Sequence, residues 1–216
     1  ARDYRALEER LGLTPSDTRT VGSSIDLDQF RSLPESEKKH DVVFLGRLHE
    51  LKGVFDLPEV WAQVKTARPA ATLKVIGEGP HRTAVMDRFA ARNLMDGVEF
   101  TGGIGEEDKN RLLAEARLGL SLSSEEGWGL AVNEYLASEL PVVAYDLPVF
   151  QEVFPDVLHS VSLGDKIAAS RAILELLADP AAREAMGRQG RELAQRYDYR
   201  AMAREELRHL EALGKS

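Results

Sequence analysis

Short apolar runs alternate with longer amphipathic stretches along most of this chain. Each run is rich in Val, Ile, Leu or Phe and is bounded by Gly, Pro or charged residues, which is typical of buried strands. Apolar strands alternating with helices predict a parallel sheet covered on both faces, a doubly wound, Rossmann-like α/β fold. The predicted strands are 41–45, 72–76, 98–101, 118–122, 142–145 and 158–161, and the predicted helices are 54–66, 81–92, 106–116, 130–137 and 164–177.

The two ends of the chain follow a different pattern. A helix is predicted over residues 4–11, followed by a turn at 14–16, and charged helices are predicted over 181–196 and 199–213. Leucines recur at three-residue spacing in the last of these helices, which gives it an apolar side that needs a surface to lie against.

Composition narrows the class of protein. With 216 residues, 43% hydrophobic and 30% charged, the chain is long enough for one α/β domain and is typical of a soluble globular protein. A net charge of -8 argues against nucleic acid as the main partner. The absence of cysteine excludes disulfides and thiolate metal sites. The chain has no apolar stretch near 18 residues and no signal-peptide pattern, so we expect a cytoplasmic location.

Ligands of doubly wound sheets bind at the carboxyl ends of the strands, so the loops there are the candidates for chemistry. The first such loop runs from Gly46 to Gly53 and contains Arg47 and Lys52. A glycine-flanked loop with two cations before a helix suits a phosphate or diphosphate. A solvated loop with two surface cations explains the pattern about as well, and the spacing is not that of a Walker A loop.

The second and third loops are rich in glycine. The second contains Gly77 and Gly79, but Arg82 stands where a dinucleotide fingerprint needs its third glycine, so a tight turn is sufficient. The third contains Gly102 and Gly103, which would let the backbone approach a flat ligand closely. A flexible loop explains those glycines nearly as well.

The loop after 118–122 is the most specific. It carries Glu126 and leads into a helix that carries Glu134, and a carboxylate can accept two hydroxyl hydrogen bonds at once. The pair would suit a sugar and a ribose, with exposed backbone at Gly127 and Gly129. On chemistry alone, a surface charge at Glu126 and a carboxylate favoured by the helix dipole at Glu134 remain the slightly better interpretation.

Two other motifs do not carry a site. Asp26 and Asp28 match an Asp-x-Asp metal motif, but Asp26 is more simply the cap of a short helix that extends through Phe30. Ser121 and Ser123 do not form the Gly-x-Ser-x-Gly elbow of a hydrolase.

Taken in order, the loops resemble the C-terminal, donor-binding domain of the family-4 retaining glycosyltransferases, which have the two-domain GT-B fold. The resemblance covers roughly residues 20–200, and its strength lies in the ordered set rather than in any one motif. The matching segments are Gly46-Arg47-Leu48 with Lys52-Gly53, Gly77-Glu78-Gly79-Pro80, Phe100-Thr101-Gly102, Glu126-Gly127-Trp128-Gly129-Leu130 through Glu134, and Leu140-Pro141-Val142-Val143-Ala144.

The resemblance implies roles for these residues. Arg47 and Lys52 would bind the leaving diphosphate, and Glu126 would bind the transferred sugar; these three are the catalytic candidates. Glu134 would accept the ribose hydroxyls, and the base would lie along Gly102, Gly103 and Ile104. The further substrate-binding candidates are Gly46, Gly77, Gly79, Gly127, Trp128, Gly129 and Leu130. The implied reaction transfers a hexosyl group from a UDP- or GDP-sugar with retention of configuration, without a metal or other cofactor.

The chain also departs from the family pattern. Ser23-Ser24-Ile25-Asp26 stands where the family often has Asn-Gly-Val-Asp, and the signature helix ends Ala137-Ser138-Glu139-Leu140 rather than in glycine. The family's N-terminal acceptor domain has no counterpart here, so we expect this chain to bind donor and transfer nothing alone. Any membrane association would come through that missing half.

These features suggest three segments: an N-terminal helix and hinge-side segment (1–35), a nucleotide-sugar-binding domain (36–180) and C-terminal helices that pack toward the missing half (181–216). Two other functions remain open. One is a sugar-nucleotide epimerase or phosphorylase half with the same fold. The other is a non-catalytic nucleotide-sugar-binding or interaction module.

Overall fold

A six-stranded, fully parallel sheet forms the centre of the molecule. The computed structural model describes residues 22–213 together with Arg10 and Gly12. The strands are paired in the order β3-β2-β1-β4-β5-β6, which confirms the predicted doubly wound α/β fold. Their bounds are β1 His40–Leu45, β2 Leu73–Ile76, β3 Val98–Gly102, β4 Ala116–Ser121, β5 Val142–Tyr145 and β6 His159–Val161.

Helices connect the strands and follow the last of them. Their bounds are α1 Leu57–Ala67, α2 Arg82–Ala90, α3 Glu106–Ala114, α4 Leu130–Ala137, α5 Pro148–Val153, α6 Lys166–Ala178, α7 Pro180–Ala194 and α8 Tyr199–Leu213. Several predicted bounds were wrong by two or three residues. The helix predicted from residue 54 begins at Leu57, and the helix predicted over 106–116 ends at Ala114 because Ala116 already begins β4. The short helix α5 was not predicted.

Side chains alternate between two cores because the sheet is buried on both faces. Val42 and Phe44 of β1 pack in one core with Trp61 of α1 and Ile173 of α6. Val43, between them, packs in the other core with residues of α4 and α7. Helices therefore cover both faces, and polar ligands have access to the sheet mainly at its ends.

The strand order reverses at β1, which places a crevice at the carboxyl edge. β1 lies between β2 and β4, and the chain reaches β4 only after passing through β2 and β3. The loops after β1 and β4 consequently diverge from neighbouring strands to opposite faces. Such a switch point is where doubly wound sheets bind their ligands.

The described ends of the chain meet. Ile25 forms a parallel bridge with Asp198: its N–H donates to the carbonyl of Tyr197 at 2.9 Å, and its carbonyl accepts from Tyr199 N–H at 2.9 Å. α7 packs against α4, whereas α8 leaves Leu207 and Leu210 exposed. The helix predicted over 4–11 and the turn at 14–16 lie outside the described residues, and the division into three segments stays a prediction.

Candidate functional site

A cavity of about 480 Å³ opens at the carboxyl edge where β1 and β4 lie side by side. It combines residues from the loops after β1, β2 and β4 with the first turns of α4. Of the predicted site residues, those that line it are Gly46, Arg47, Lys52, Gly77, Glu126, Trp128, Gly129, Leu130 and Glu134. The topology thus brings together predicted site residues whose side chains are up to 87 positions apart in sequence, from Arg47 to Glu134.

The loop after β1 supplies the cationic side of the cavity. Arg47 is exposed, and within the described residues its side chain has no hydrogen bond or ion pair. Lys52 ends a one-turn 3-10 helix whose first turn is capped by the His49 side chain, which accepts from Leu51 N–H. The loop thus has local hydrogen bonds of its own while Arg47 stays available to an anion.

Lys52 and Glu126 form an ion pair across the cavity. The Lys52 Nζ lies 2.5 Å from Glu126 Oε1, and the Ser123 hydroxyl donates to the same oxygen at 2.8 Å. Ser123 is buried and only 12% of the Glu126 side chain is exposed. The second carboxylate oxygen of Glu126 has no hydrogen bond among the described residues, so a hydroxyl group of a ligand can donate to it.

Glu134 has a lysine partner of its own, Lys109 of α3. The Lys109 Nζ lies 2.6 Å from Glu134 Oε1 and 2.5 Å from Glu106 Oε2. Burial raises the pKa of Glu134, and the hydrogen bond from Lys109 opposes that effect only in part. The pKa of Lys109 is also raised: burial favours the neutral amine, but the hydrogen bonds to Glu106 and Glu134 outweigh it.

The glycine loops after β2 and β3 lie close together. A Cβ at Gly77, which has a φ of 131°, would lie 2.1 Å from the Gly46 carbonyl oxygen, so the loops after β1 and β2 can pack only with glycine here. Gly79 packs against Leu48, and Gly102 and Gly103 pack against the Glu78 side chain. These contacts form one rim of the carboxyl edge.

Five predicted residues lie outside the cavity lining: Gly79, Gly102, Gly103, Ile104 and Gly127. Gly102, Gly103 and Ile104 lie outside because β3 is the edge strand and two strands separate it from β4. Ile104 packs at the margin of the second core. The loop after β3 nevertheless leads directly into α3, whose Lys109 contacts Glu134.

Trp128 positions the loop it belongs to. Its ring meets Tyr197 edge-on at a centroid distance of 5.2 Å, and a Cβ at Gly22 would overlap it. The Tyr197 hydroxyl donates to the Val153 carbonyl at 2.6 Å. The indole therefore fixes the Gly127–Gly129 backbone against the segment that joins α7 to α8.

The helix that follows this loop begins without a side-chain cap. Its N-cap is Gly129, with a φ of 100°, and no side chain accepts a hydrogen bond from its first turn. The amide groups of that turn are partial positive charges at the cavity, where Leu130 and Ala131 line it. Together with Arg47 and Lys52, they make this part of the cavity suited to an anion.

The Asp26–Asp28 motif has a structural role rather than a metal-binding one. Asp26 caps the 3-10 helix Leu27–Gln29 by accepting from Asp28 N–H, which confirms the capping interpretation. Among the described residues, no three His, Asp or Glu side chains are grouped as a metal ion would require. No helix in the same residues is long and apolar enough to cross a membrane.

Sequence reasoning missed Lys109 and the role of Ser123. The spacing of Glu106 and Lys109 indicates a pair on one helix face, but the contact of Lys109 with Glu134 joins two helices separated by β4. Ser123 was considered only as a nucleophile, whereas its hydroxyl orients Glu126. Only the folded sheet brings these partners together.

Fold and site together define the class: a Rossmann-like domain with an anion-suited, carboxylate-bearing cavity at its switch point. A family model described as Glycosyl transferases group 1 matches residues 26–193. The chain belongs to this glycosyltransferase family and corresponds to the C-terminal domain of a GT-B enzyme.

Its relatives agree with that assignment. The chain is 31% identical over 164 residues to a phosphatidyl-myo-inositol mannosyltransferase of Propionibacterium freudenreichii, covering 73% of this chain and 40% of that protein. It is 28% identical over 209 residues to the enzyme of the same name from Mycobacterium leprae, covering 93% and 55%. The chain thus spans about half the length of these curated relatives.

Solved structures show the same fold. The crystal structure of Anabaena HepE in complex with UDP superposes with a TM-score of 0.83 at 17% identity, covering 98% of this chain and 62% of that one.

Proposed function

We propose that this chain is the donor-binding part of a retaining glycosyltransferase that transfers a hexosyl group from a UDP- or GDP-sugar to an acceptor. The observation that carries the proposal is the cavity itself. Two carboxylates, Glu126 and Glu134, each bind a lysine through one oxygen and leave the other free among the described residues, beside the unpaired Arg47.

In this proposal the diphosphate lies against Arg47, Lys52 and the first turn of α4. Lys52 has three N–H donors, and its ion pair with Glu126 uses one of them, so the others can reach a phosphate oxygen. The guanidinium of Arg47 can bind two phosphate oxygens at once. These groups stabilise the negative charge that grows on the diphosphate as the sugar departs.

The sugar and the ribose have separate carboxylates. Glu126 accepts hydroxyls of the transferred sugar, and Glu134 accepts ribose hydroxyls, while the base extends toward the rim at Gly102–Ile104. The acceptor then attacks on the face that the diphosphate leaves, and a phosphate oxygen takes its proton. Positioning and charge stabilisation provide the rate, with no metal and no other cofactor.

The relatives support a nucleotide-sugar donor. HepE was solved with UDP, and the two curated relatives are mannosyltransferases of phosphatidyl-myo-inositol. We propose that the acceptor is bound by a further domain, as in the two-domain enzymes of this family, and that the 216-residue chain alone binds donor without transferring it.

Calorimetry on the 216-residue chain tests the proposal. We expect UDP or GDP to bind, and Lys52→Ala and Glu134→Ala each to weaken binding at least tenfold, because a hydrogen bond to a charged group contributes about 1.5–3 kcal/mol. The matched controls are Lys39→Ala and Glu175→Ala, whose side chains are exposed and do not line the cavity.

Different outcomes separate the competing functions. If neither nucleotide binds at millimolar concentration, the donor-site proposal is wrong for this chain. Binding that the two cavity substitutions leave unchanged would place the nucleotide elsewhere. Product analysis with the full-length enzyme distinguishes glycosyl transfer from epimerisation or phosphorolysis.

A further inference from the structure

Lys109 is a buried lysine that the mechanism above does not use. It lies on α3, and only 9% of its side chain is exposed. Its Nζ contacts one carboxylate of its own helix, Glu106, and one carboxylate of the cavity, Glu134. A charged amine is removed from water only where its partners compensate, so this position is built around the ion pair.

The geometry of Glu134 depends on that contact. Lys109 binds Oε1, while Oε2 has no hydrogen bond among the described residues and 19% of the side chain is exposed at the cavity. A carboxylate fixed through one oxygen presents the other in a single direction. The positive charge 2.6 Å away also opposes the rise in the Glu134 pKa that burial causes.

We infer that Lys109 is the positioning residue that makes this site selective for ribonucleotides, by fixing Glu134 so that its free oxygen accepts the ribose 2′ hydroxyl. The inference rests on the proposed nucleotide-sugar function and deepens it. Lys109 itself does not touch the ligand. Glu106 accepts a second hydrogen bond from Lys109, but it has no direct part in binding the ribose.

The test compares ribonucleotides with deoxyribonucleotides on the whole chain. UDP, GDP, 2′-deoxy-UDP and 2′-deoxy-GDP are titrated by calorimetry into wild type and Lys109→Gln. Glutamine keeps a polar side chain, one atom shorter than lysine, without the charge. For whichever base binds, we expect wild type to prefer ribose by about tenfold or more. Lys109→Gln should reduce that preference to within about twofold.

Three further variants isolate the positioning role. Lys109→Arg should restore most of the preference, because it restores the charge. Glu106→Gln is the matched control on the same helix, and it should keep the preference because the Lys109–Glu134 pair remains. In a Glu134→Gln background, Lys109→Gln should have no further effect on the ribose preference, since the two residues act through one contact.

The pH dependence of nucleotide binding tests the role of Lys109 independently. The charged groups around Glu134 are Lys109, Glu106, Arg47, Lys52 and Glu126. Burial already raises the pKa of Glu134, and removing the Lys109 charge raises it further. Ribonucleotide affinity of Lys109→Gln should therefore fall at a higher pH on acidification than that of wild type, while 2′-deoxynucleotide affinity should show no such displacement.

The outcomes also separate this inference from the function it rests on. If wild type binds no nucleotide, both are wrong. If wild type binds and prefers ribose, but Lys109→Gln keeps the preference and the pH profile, the donor site stands and the role of Lys109 is refuted. A uniform loss of affinity for ribo- and deoxynucleotides in Lys109→Gln would make Lys109 merely structural and would also refute the inference. If Lys109→Gln does not fold, Lys109→Arg and Glu106→Gln decide: loss of the preference in both would overturn it.

Discussion

Glu139 adopts a left-handed backbone conformation, with a φ of 57°. It follows the end of α4, where the chain reverses before Leu140 returns to the core. Helices commonly end in this conformation at glycine, because a Cβ there is close to the following carbonyl. The family that the sequence resembles often has glycine at the end of this helix. The structure shows a backbone conformation there that glycine would adopt with less strain.

We expect Glu139→Gly to stabilise the chain by about 0.5–1 kcal/mol. Glycine relieves the backbone strain at this position, and the greater conformational entropy of glycine in the unfolded chain offsets part of that gain. Urea denaturation followed by circular dichroism measures the change. Glu175→Gly is the control, because Glu175 is exposed in the interior of α6 in a right-handed helix, and it should destabilise by about 1 kcal/mol. Equal effects of the two substitutions would contradict this account.

At the scale of single residues, the sequence predicted which residues line the cavity. It did not predict which of them pair with one another. Nine of the predicted site residues line one cavity, because each follows a strand and parallel strands end at one edge. The pairing of Lys52 with Glu126 and of Lys109 with Glu134 was not predictable. Such partners depend on strand order and on the rotation of each helix, which no local pattern encodes.

At the scale of elements, α7 packs closely on the end of α4. A Cβ at Gly187 would lie 2.3 Å from the Glu139 carbonyl oxygen, so α7 reaches this position only with glycine. We expect Gly187→Ala to destabilise the chain by about 1–3 kcal/mol, since the backbone atom it meets cannot move independently.

Urea denaturation measures the stability of Gly187→Ala, with Gly105→Ala as the control. Gly105 has no atom within 4 Å of its would-be Cβ and has a φ of -68°, so that substitution should be close to neutral. If Gly187→Ala is equally neutral, the helices are free to separate and the close packing is not needed for stability.

Element prediction succeeded where the pattern was long or strongly apolar. The predicted bounds of α4, α8 and β5 match the structure. The missed helix α5 has six residues and begins at a proline, and it is too short to show a helical period. The predicted end of α3 was two residues late because helix and strand are separated by a single residue, Glu115.

For the molecule as a whole, stability depends on pH through Lys38. Its ammonium donates to the Ala114 carbonyl, at the end of α3, and burial lowers its pKa from 10.5 to about 8. Below pH 8 the lysine is charged both folded and unfolded, so the cost of burying the charge is fully present. As pH rises from 8 to 10.5 the folded state loses the proton first, and this cost disappears.

We expect wild type to gain stability relative to Lys38→Met as the pH rises from 8 to 10.5. The change should be roughly 1–2 kcal/mol, less than the full shift implies because the side chain is partly exposed. Denaturation at pH 7, 8.5 and 10.5 measures it. Arg31→Met is the control: Arg31 is exposed, and arginine stays charged over this whole pH range, so its removal should leave the slope unchanged. A slope identical in wild type and Lys38→Met would contradict the expectation.

The bridge between Ile25 and Asp198 has a mechanical consequence. Its two hydrogen bonds join segments that run parallel, so tension from the chain before residue 22 and the chain after Tyr199 pulls the two segments along their length in opposite directions. The bridge is therefore loaded in shear, and its two bonds resist together rather than one after the other. The Leu27 N–H bond to the Asp198 carboxylate and the Arg200–Asp28 ion pair join the same segments. While these contacts hold, tension bypasses the sheet, and Trp128 keeps its packing against Tyr197.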